Sequence, residues 1–388
     1  MQSVPSATPR LLPDDSAVSY PLARLRLGIC YVGALVLGAI GLLLLDLRAS
    51  EVFAEITGRL GVIPSVGLLI GIFTLMTFPL DLMGGFVLPR GAGGGAPAFN
   101  DWLRAWIRGV FHHSGFLWWA GVCLFAVAPL GAGVVVSAAA GLMILQLFFQ
   151  TALARLVGNL TEDPGVVDGE ERPTLCLRSG DTAFSGGISG LPGWDRIVLP
   201  AAWRDRLEPD LWGLLVERRL AVVRLGLRRR GVWTALVWNL VGVWMAAWAS
   251  GLAGRSVAEL VDFAAWSTLW SFVGLLVLPT WSRNAVAVTD RHLLARGRTP
   301  EDVARLAGIT IGLQDGEEHR SALIERIFHP MPSLNGRLDA AESPVTGPAA
   351  WNAARLTLFL SWSSLGLLAR AVHSNAGRPD LWVMGPVD

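Results

Sequence analysis

Long stretches without a single charged residue constrain this chain more than any other feature. Leu27–Leu45, Leu60–Leu80, Ser114–Ala154, Val232–Ala249 and Phe263–Trp281 carry none. A bilayer's hydrocarbon core takes about 20 consecutive apolar residues in a helix. Four of these runs therefore fit one crossing each. Ser114–Ala154 fits two, with Pro129-Leu130-Gly131 as the turn between them. The 52% apolar and 16% charged composition agrees, being apolar for a soluble protein. Many of the 17 tryptophans, such as Trp118, Trp119, Trp233, Trp266 and Trp281, sit near the ends of apolar runs, as an interfacial aromatic belt would. The lipid bilayer is thus the first expected partner. A net charge of +1 offers no basic surface for nucleic acid. Cys30, Cys123 and Cys176 share no metal or disulfide spacing.

Every basic residue is arginine, and arginine placement orients the chain. Arg224 to Arg230 precede the run Val232–Ala249, and Arg283, Arg291, Arg296 and Arg298 follow the run Phe263–Trp281. The loop between holds Arg255 against Glu259 and Asp262. By the positive-inside rule both outer flanks are cytoplasmic, so the two runs form a transmembrane hairpin. Four earlier crossings bring Arg24 and Arg26 to the same side. The expected location is a bacterial inner membrane with the polar domain in the cytoplasm.

The chain divides accordingly. Residues 1–22 are a flexible tail, 23–157 a membrane domain with about four transmembrane helices, and 158–231 a polar part. Residues 232–281 are the hairpin, 282–340 the rest of the polar part, and 341–388 a C-terminal helix and strap. Gly91–Gly95 reads as a linker, and Asn100 as the cap of a short amphipathic helix through Trp102, Trp106 and Val110. Thr174–Leu177 and Ile197–Leu199 are β-like. Trp281–Gly312 reads as a polar helix pair, and Gly316–Ile327 as a further helix. Trp351–Leu368, interrupted by Asn352 and Arg355, is expected to be an interfacial or packed helix, not a crossing.

Between the polar part and the hairpin lies an amphipathic helix, Pro209–Gly231. Trp212, Val216, Leu220 and Val223 form its apolar stripe. Glu217, Arg218, Arg219 and Arg224 lie off it, and Arg228–Arg230 crowd the end, where cations suit the helix dipole. Glu217 beside two arginines reads as a surface ion pair in preference to a base. No metal set stands out among the six histidines. His112 and His113 are adjacent and point apart, His292 lies two residues from Asp290, His319 sits among charges, and His329 and His373 have no neighbour in sequence. Ser185 and Ser189 are not in a G-x-S-x-G turn, and Gly186–Gly190 is too short for a phosphate loop. Asn159-Leu160-Thr161 is a chance glycosylation triplet on a cytoplasmic segment.

Several strings, in this order, resemble the HtpX-like family of membrane zinc metallopeptidases, which includes the CAAX prenyl endopeptidases. Thr182-Ala183-Phe184-Ser185-Gly186-Gly187 is similar to the family's N-A-F-A-x-G strand, and Arg196, Ile197, Val198 and Leu199 to its edge strand. Leu211–Leu215 resembles the lead into the zinc helix. Arg283 through Asp290 resembles R-x-x-E-x-x-A-D, and His329-Pro330 followed by Arg337 resembles the H-P…R ending. The resemblance spans roughly residues 25–340. It implies an α-helical polytopic membrane protein with an inserted small α+β zincin-like domain, and zinc as cofactor.

The departures fall on the chemistry. Aligned without a gap, the family's His, Glu and second His land on Glu217, Arg218 and Ala221. Shifted by one, Glu217 takes the general-base place and the histidines become Val216 and Leu220. The third ligand falls on Val286, while Asp290 is kept. A catalytic zinc needs three protein ligands and an open position, and none of the three is present. The expectation is a degenerate site with no cofactor, in a non-catalytic pseudopeptidase that binds or scaffolds membrane-protein or peptide clients. Strand addition at Arg196–Leu199 would be the means. The alternatives are an active metalloendopeptidase with relocated ligands, with Glu217 as its best candidate base, and a structural or assembly subunit.

Overall fold

The computed structural model describes residues 19–46, 51–91, 97–163, 173–314, 322–342 and 345–384. Most of the N-terminal tail, most of the glycine-rich linker and His319 lie outside the described residues. The membrane part is built from α1 (Tyr20–Leu44), α2 (Glu51–Leu60), α3 (Val62–Gly91) and α4 (Phe99–Leu130), then α5 (Ala132–Phe148) and α6 (Gln150–Val157). Among the described residues, α1, α3, α4 and two later helices are long and apolar enough to cross a bilayer. The α5–α6 pair, bent by 74°, makes a sixth when counted together. Gly131 at φ +98° allows the tight reversal between α4 and α5. α4 starts after Ala98, so Asn100 lies inside it and caps nothing. Its amphipathic first half and the apolar run that follows are one continuous helix.

The polar part holds β1 (Thr161–Glu162), β2 (Thr174–Arg178), β3 (Gly187–Ser189) and β4 (Arg196–Pro200). The sheet order is β1-β2-β4-β3. α7 (Pro209–Arg224) follows, then α8 (Leu227–Ser250) and α9 (Val257–Ala295) as the hairpin. Gly226, at φ +68°, lets the chain turn from α7 into α8. α9 runs through Pro279 without a break. The residues after Trp281 therefore continue the crossing helix instead of starting a helix pair. α10 (Pro300–Gln314), α11 (Ala322–Phe328) and α12 (Leu334–Glu342) complete the polar part. An apolar core of Leu199, Trp203, Leu211, Leu215, Leu293 and Leu306 joins the sheet to α7, α9 and α10.

The C-terminal segment takes the packed form of the two expected, with a helix and then a strap. α13 (Ala353–Leu360) enters the membrane bundle beside Ser282, whose Oγ accepts from Ala354 N at 3.3 Å. The chain reverses at Leu365 (φ +57°), near Leu260 and Gly121, and returns as a strap to Asp380. It is a buried hairpin packed among the apolar helices, as a packed segment and not a crossing. Irregular backbone inside a bilayer is tolerated only when protein groups satisfy it, and here spans supply them. Gln146 donates to Phe359 O at 2.5 Å and Asn239 to Thr357 O at 3.1 Å. Trp102 donates to Gly377 O at 3.0 Å, and Thr268 accepts from Leu367 N at 3.2 Å. Asp81, fully buried, receives Trp106 Nε1 (3.0 Å), Gly377 N (3.1 Å) and the Arg370 guanidinium. Gly84 gives the strap its berth, since a Cβ there would lie 2.5 Å from Ala376 O.

Candidate functional site

The helix that would carry a zinc motif is α7, and its residues face four ways. Val216 and Leu220 are half-buried and pack on the core shared with α10. Glu217 turns to the surface, where Arg298 donates to its Oε2 at 2.6 and 2.9 Å. Arg218, Ala221 and Val222 are buried toward α9 and β3. Arg219, also buried, donates to Ser185 O at 3.0 Å and lies 5.9 Å from the centre of the Trp351 ring.

This distribution sends the residues named by the two sequence registers to different faces of the helix. A His-Glu-x-x-His run needs its histidines four apart on one face, with the glutamate beside them. Of the buried pairs four apart on α7, Arg218 and Val222 are the pair that lies toward Asp290 on α9 and Ile188 on β3. Glu217 stands outside this pair, and Val216 and Leu220 belong to another core. On α9, Val286 and Asp290 are one turn apart and both buried.

A dense ionic cluster occupies this place. Arg218 Nε donates to Asp290 Oδ1 at 3.0 Å. Arg337 on α12 donates from Nε to Oδ2 and from Nη2 to Oδ1, both at 3.0 Å. All three side chains are at most 3% exposed. The donor set does not fit zinc. A zinc ion needs lone pairs from imidazole, thiolate or carboxylate, whereas these positions offer a guanidinium and aliphatic groups. The one carboxylate already accepts three hydrogen bonds from two cations. Among the described residues no group of three or more His, Cys, Asp or Glu converges anywhere.

The other family-matched residues serve as braces. Arg283 donates to the carbonyls of Glu325 (2.7 Å) and His329 (2.6 Å), tying α9 to α11. His329 is buried with its ring 4.9 Å from that of His373, and His292 lies in the last turn of α9. Pro330 follows at the wall of an apolar cavity of about 280 Å³ between α1 and α9. His113, on α4, is wedged between Trp362 and Trp382 of the strap.

The sheet overturns the partner-binding expectation at Arg196–Leu199. β4 is an interior strand, paired parallel with β2 and antiparallel with β3. Both of its edges are used, so it cannot accept a further strand. The terminal strands are β1 and β3, and β3 follows directly on the Thr182–Gly187 string. Ile197 sends its N–H to Pro173 O at 3.0 Å, on the β2 side. Ile188, opposite Ile197, therefore sits in a non-hydrogen-bonded antiparallel pair. Its N–H and C=O point away from β4, toward α6 and the strap. Gly190, two residues on, faces the same way: its N–H meets Gln150 Oε1 and its carbonyl meets Arg228, each at 3.3 Å.

The architecture has a solved counterpart. The crystal structure of S. mikatae Ste24p superposes with a TM-score of 0.55 over 83% of each chain, at 14% sequence identity. At that identity the likeness is one of fold. No family model and no curated protein matches the sequence.

Proposed function

We propose that this integral membrane protein keeps a zinc-metallopeptidase frame without zinc chemistry, and holds a membrane-protein or peptide partner that it does not cleave. The Arg218–Asp290–Arg337 cluster carries the reading. It puts two cations and one saturated carboxylate where a dication would need three free donors. The fold likeness to Ste24p and the ordered strings resembling the HtpX-like family support the frame. The arginine-rich flanks of the hairpin support a cytoplasmic sheet in a bacterial inner membrane. Relocated ligands would need a second donor cluster, and the described residues offer none.

The test is metal content and cleavage on protein purified in lipid nanodiscs. Zinc far below one per chain is expected after dialysis against trace zinc, with no chelator-sensitive hydrolysis of an unfolded membrane substrate. One tightly held zinc per chain, or hydrolysis abolished by chelator, would overturn the proposal. Co-purification under native conditions then separates roles: a fixed stoichiometric partner marks an assembly subunit, and a mixture of clients marks capture.

A further inference from the structure

The outward edge of β3 is buried, and the chain's own end covers it. Ile188 is 2% exposed. Its edge faces a cavity of about 20 Å³, walled opposite by Trp382, Val383 and Met384, with room for about one water. A main-chain donor and acceptor that point out of a sheet form a template for one more strand. Here C-terminal residues fill the space that such a strand would take.

Those residues are held at two places, by Trp382 on the strap, where its Nε1 donates to Asn375 O at 2.8 Å, and by a set of polar contacts on the sheet side. Arg378 makes a two-pronged ion pair with Asp181. Asp380 accepts from Ser179 Oγ at 2.5 Å and from Gly180 N at 3.1 Å. Both attachments are to one loop, Ser179–Asp181, which leads into β3. The deeper hold, Arg370 on Asp81, lies ten residues earlier on the strap and inside the bundle. The last stretch can leave the sheet once Trp382 gives up its bond to Asn375 O and its ring contacts with Arg370 and His113, while Arg370 on Asp81 keeps the hairpin lodged.

We propose that Asp380–Met384 is a lid built into the chain, latched on Ser179–Asp181, and that an extended peptide reaches Ile188 only when the latch opens. The proposal deepens the partner-binding reading, rests on it, and names the partner class: a segment in extended conformation that offers a main-chain N–H and C=O. Trp382, Val383 and Met384 show that the surrounding walls accept large apolar side chains.

The test uses the full chain in nanodiscs, with Ser179→Ala and Asp380→Ala as latch variants. Amide exchange is followed by mass spectrometry, and the probe is a fluorescent peptide of residues 376–388. Exchange over residues 186–190 should rise at least tenfold in each variant. Exchange in the interior strand, residues 197–199, should not change. The peptide should bind the variants at least tenfold more tightly than wild type, and its binding should restore protection at 186–190. Equal exchange and equal peptide affinity in all three proteins would overturn the lid. If Asp380→Ala loosens the whole sheet, the milder Ser179→Ala decides, and a rise that includes 197–199 in that variant also overturns it. Neither readout involves zinc, so failure of the lid and failure of the non-catalytic reading are told apart by metal content.

Discussion

Replacing Asp290 with alanine gives the sharpest test of the ionic cluster. The carboxylate accepts three charge-assisted bonds of 3.0 Å from Arg218 and Arg337, and no member is more than 3% exposed. Its removal leaves two guanidinium groups buried close together without their shared counter-ion. Removing one partner from a buried ion pair costs about 3–5 kcal/mol, because the remaining charge is desolvated and uncompensated. At roughly 2–4 °C per kcal/mol for a larger domain, the melting temperature should fall by about 10 °C. Unfolding from a membrane is not assumed to be reversible, so wild type and variant are scanned at one rate in one nanodisc preparation. The matched control replaces the whole cluster with Asp290→Leu, Arg218→Met and Arg337→Met. Apolar residues of similar volume can be neutral or better than a buried ionic triad, so this variant should recover most of the loss. An Asp290→Ala protein melting within about 1 °C of wild type would refute the reasoning. So would a triple variant that melts lower than the single one.

Two further predictions concern groups outside the cluster. Glu217→Gln should move the melting temperature by no more than about 3 °C, because its partly exposed pair with Arg298 is the kind worth only about 0.2–1 kcal/mol; a larger drop would show that Glu217 has an interior role. Burial and the neighbouring Asp181 carboxylate push the Asp380 carboxyl up to about 6. The folded state therefore holds this proton more tightly than the unfolded one. The stabilisation is complete below about pH 4 and is lost as pH rises toward 6, worth about 3 kcal/mol over that shift of roughly two units. Asp181 responds in the opposite sense. Burial alone would raise its carboxyl, but Arg378 holds it below the usual range, so its contribution is lost only as pH falls below that range. Melting curves from pH 4 to 8 should thus show a downward step in wild type that Asp380→Asn flattens. Identical profiles for the two proteins would contradict this.

The membrane frame was legible because uncharged runs of the length of a bilayer have few alternative folds. The arginine asymmetry carried the orientation argument for the same physical reason, the cost of moving cations across lipid. Local chemistry was harder to read. Val216 and Leu220 looked like one stripe with Trp212 and Val223, yet helical spacing alone does not say which of two cores a stripe meets, and here Val223 packs with Ile188 and Trp351 instead. Nothing in Arg196–Leu199 marks β4 as interior, because strand order depends on contacts between residues far apart and the string does not say which neighbours pair with it. The hairpin was hidden by its own composition. Arg355 and Arg370 argue against membrane burial until their partners, Asn375 and Ser374 for one and Asp81 for the other, are brought together across the fold. One signal was available. An aspartate just past an uncharged run, followed by Gly84-Gly85, marks a buried charge beside a place where another backbone comes close.

On the proposed non-catalytic reading, the ionic cluster also accounts for how a metallopeptidase frame would persist without metal. Zinc ligands in such a frame do two jobs, activating water and clamping helices that are far apart in sequence. Arg218, Asp290 and Arg337 come from α7, α9 and α12, so their hydrogen bonds tie three elements separated by up to 119 positions. On that reading guanidinium–carboxylate geometry takes over the clamp, and no group takes over the activation of water. Because each bond is directional and the cluster is dry, it fixes the relative register of the three helices more strictly than aliphatic packing would. Restoring a metal would therefore require more than ligands at Arg218, Val222 and Val286. Arg337 would remain, aimed at the same spot, and its charge would oppose the ion that the new ligands were meant to hold.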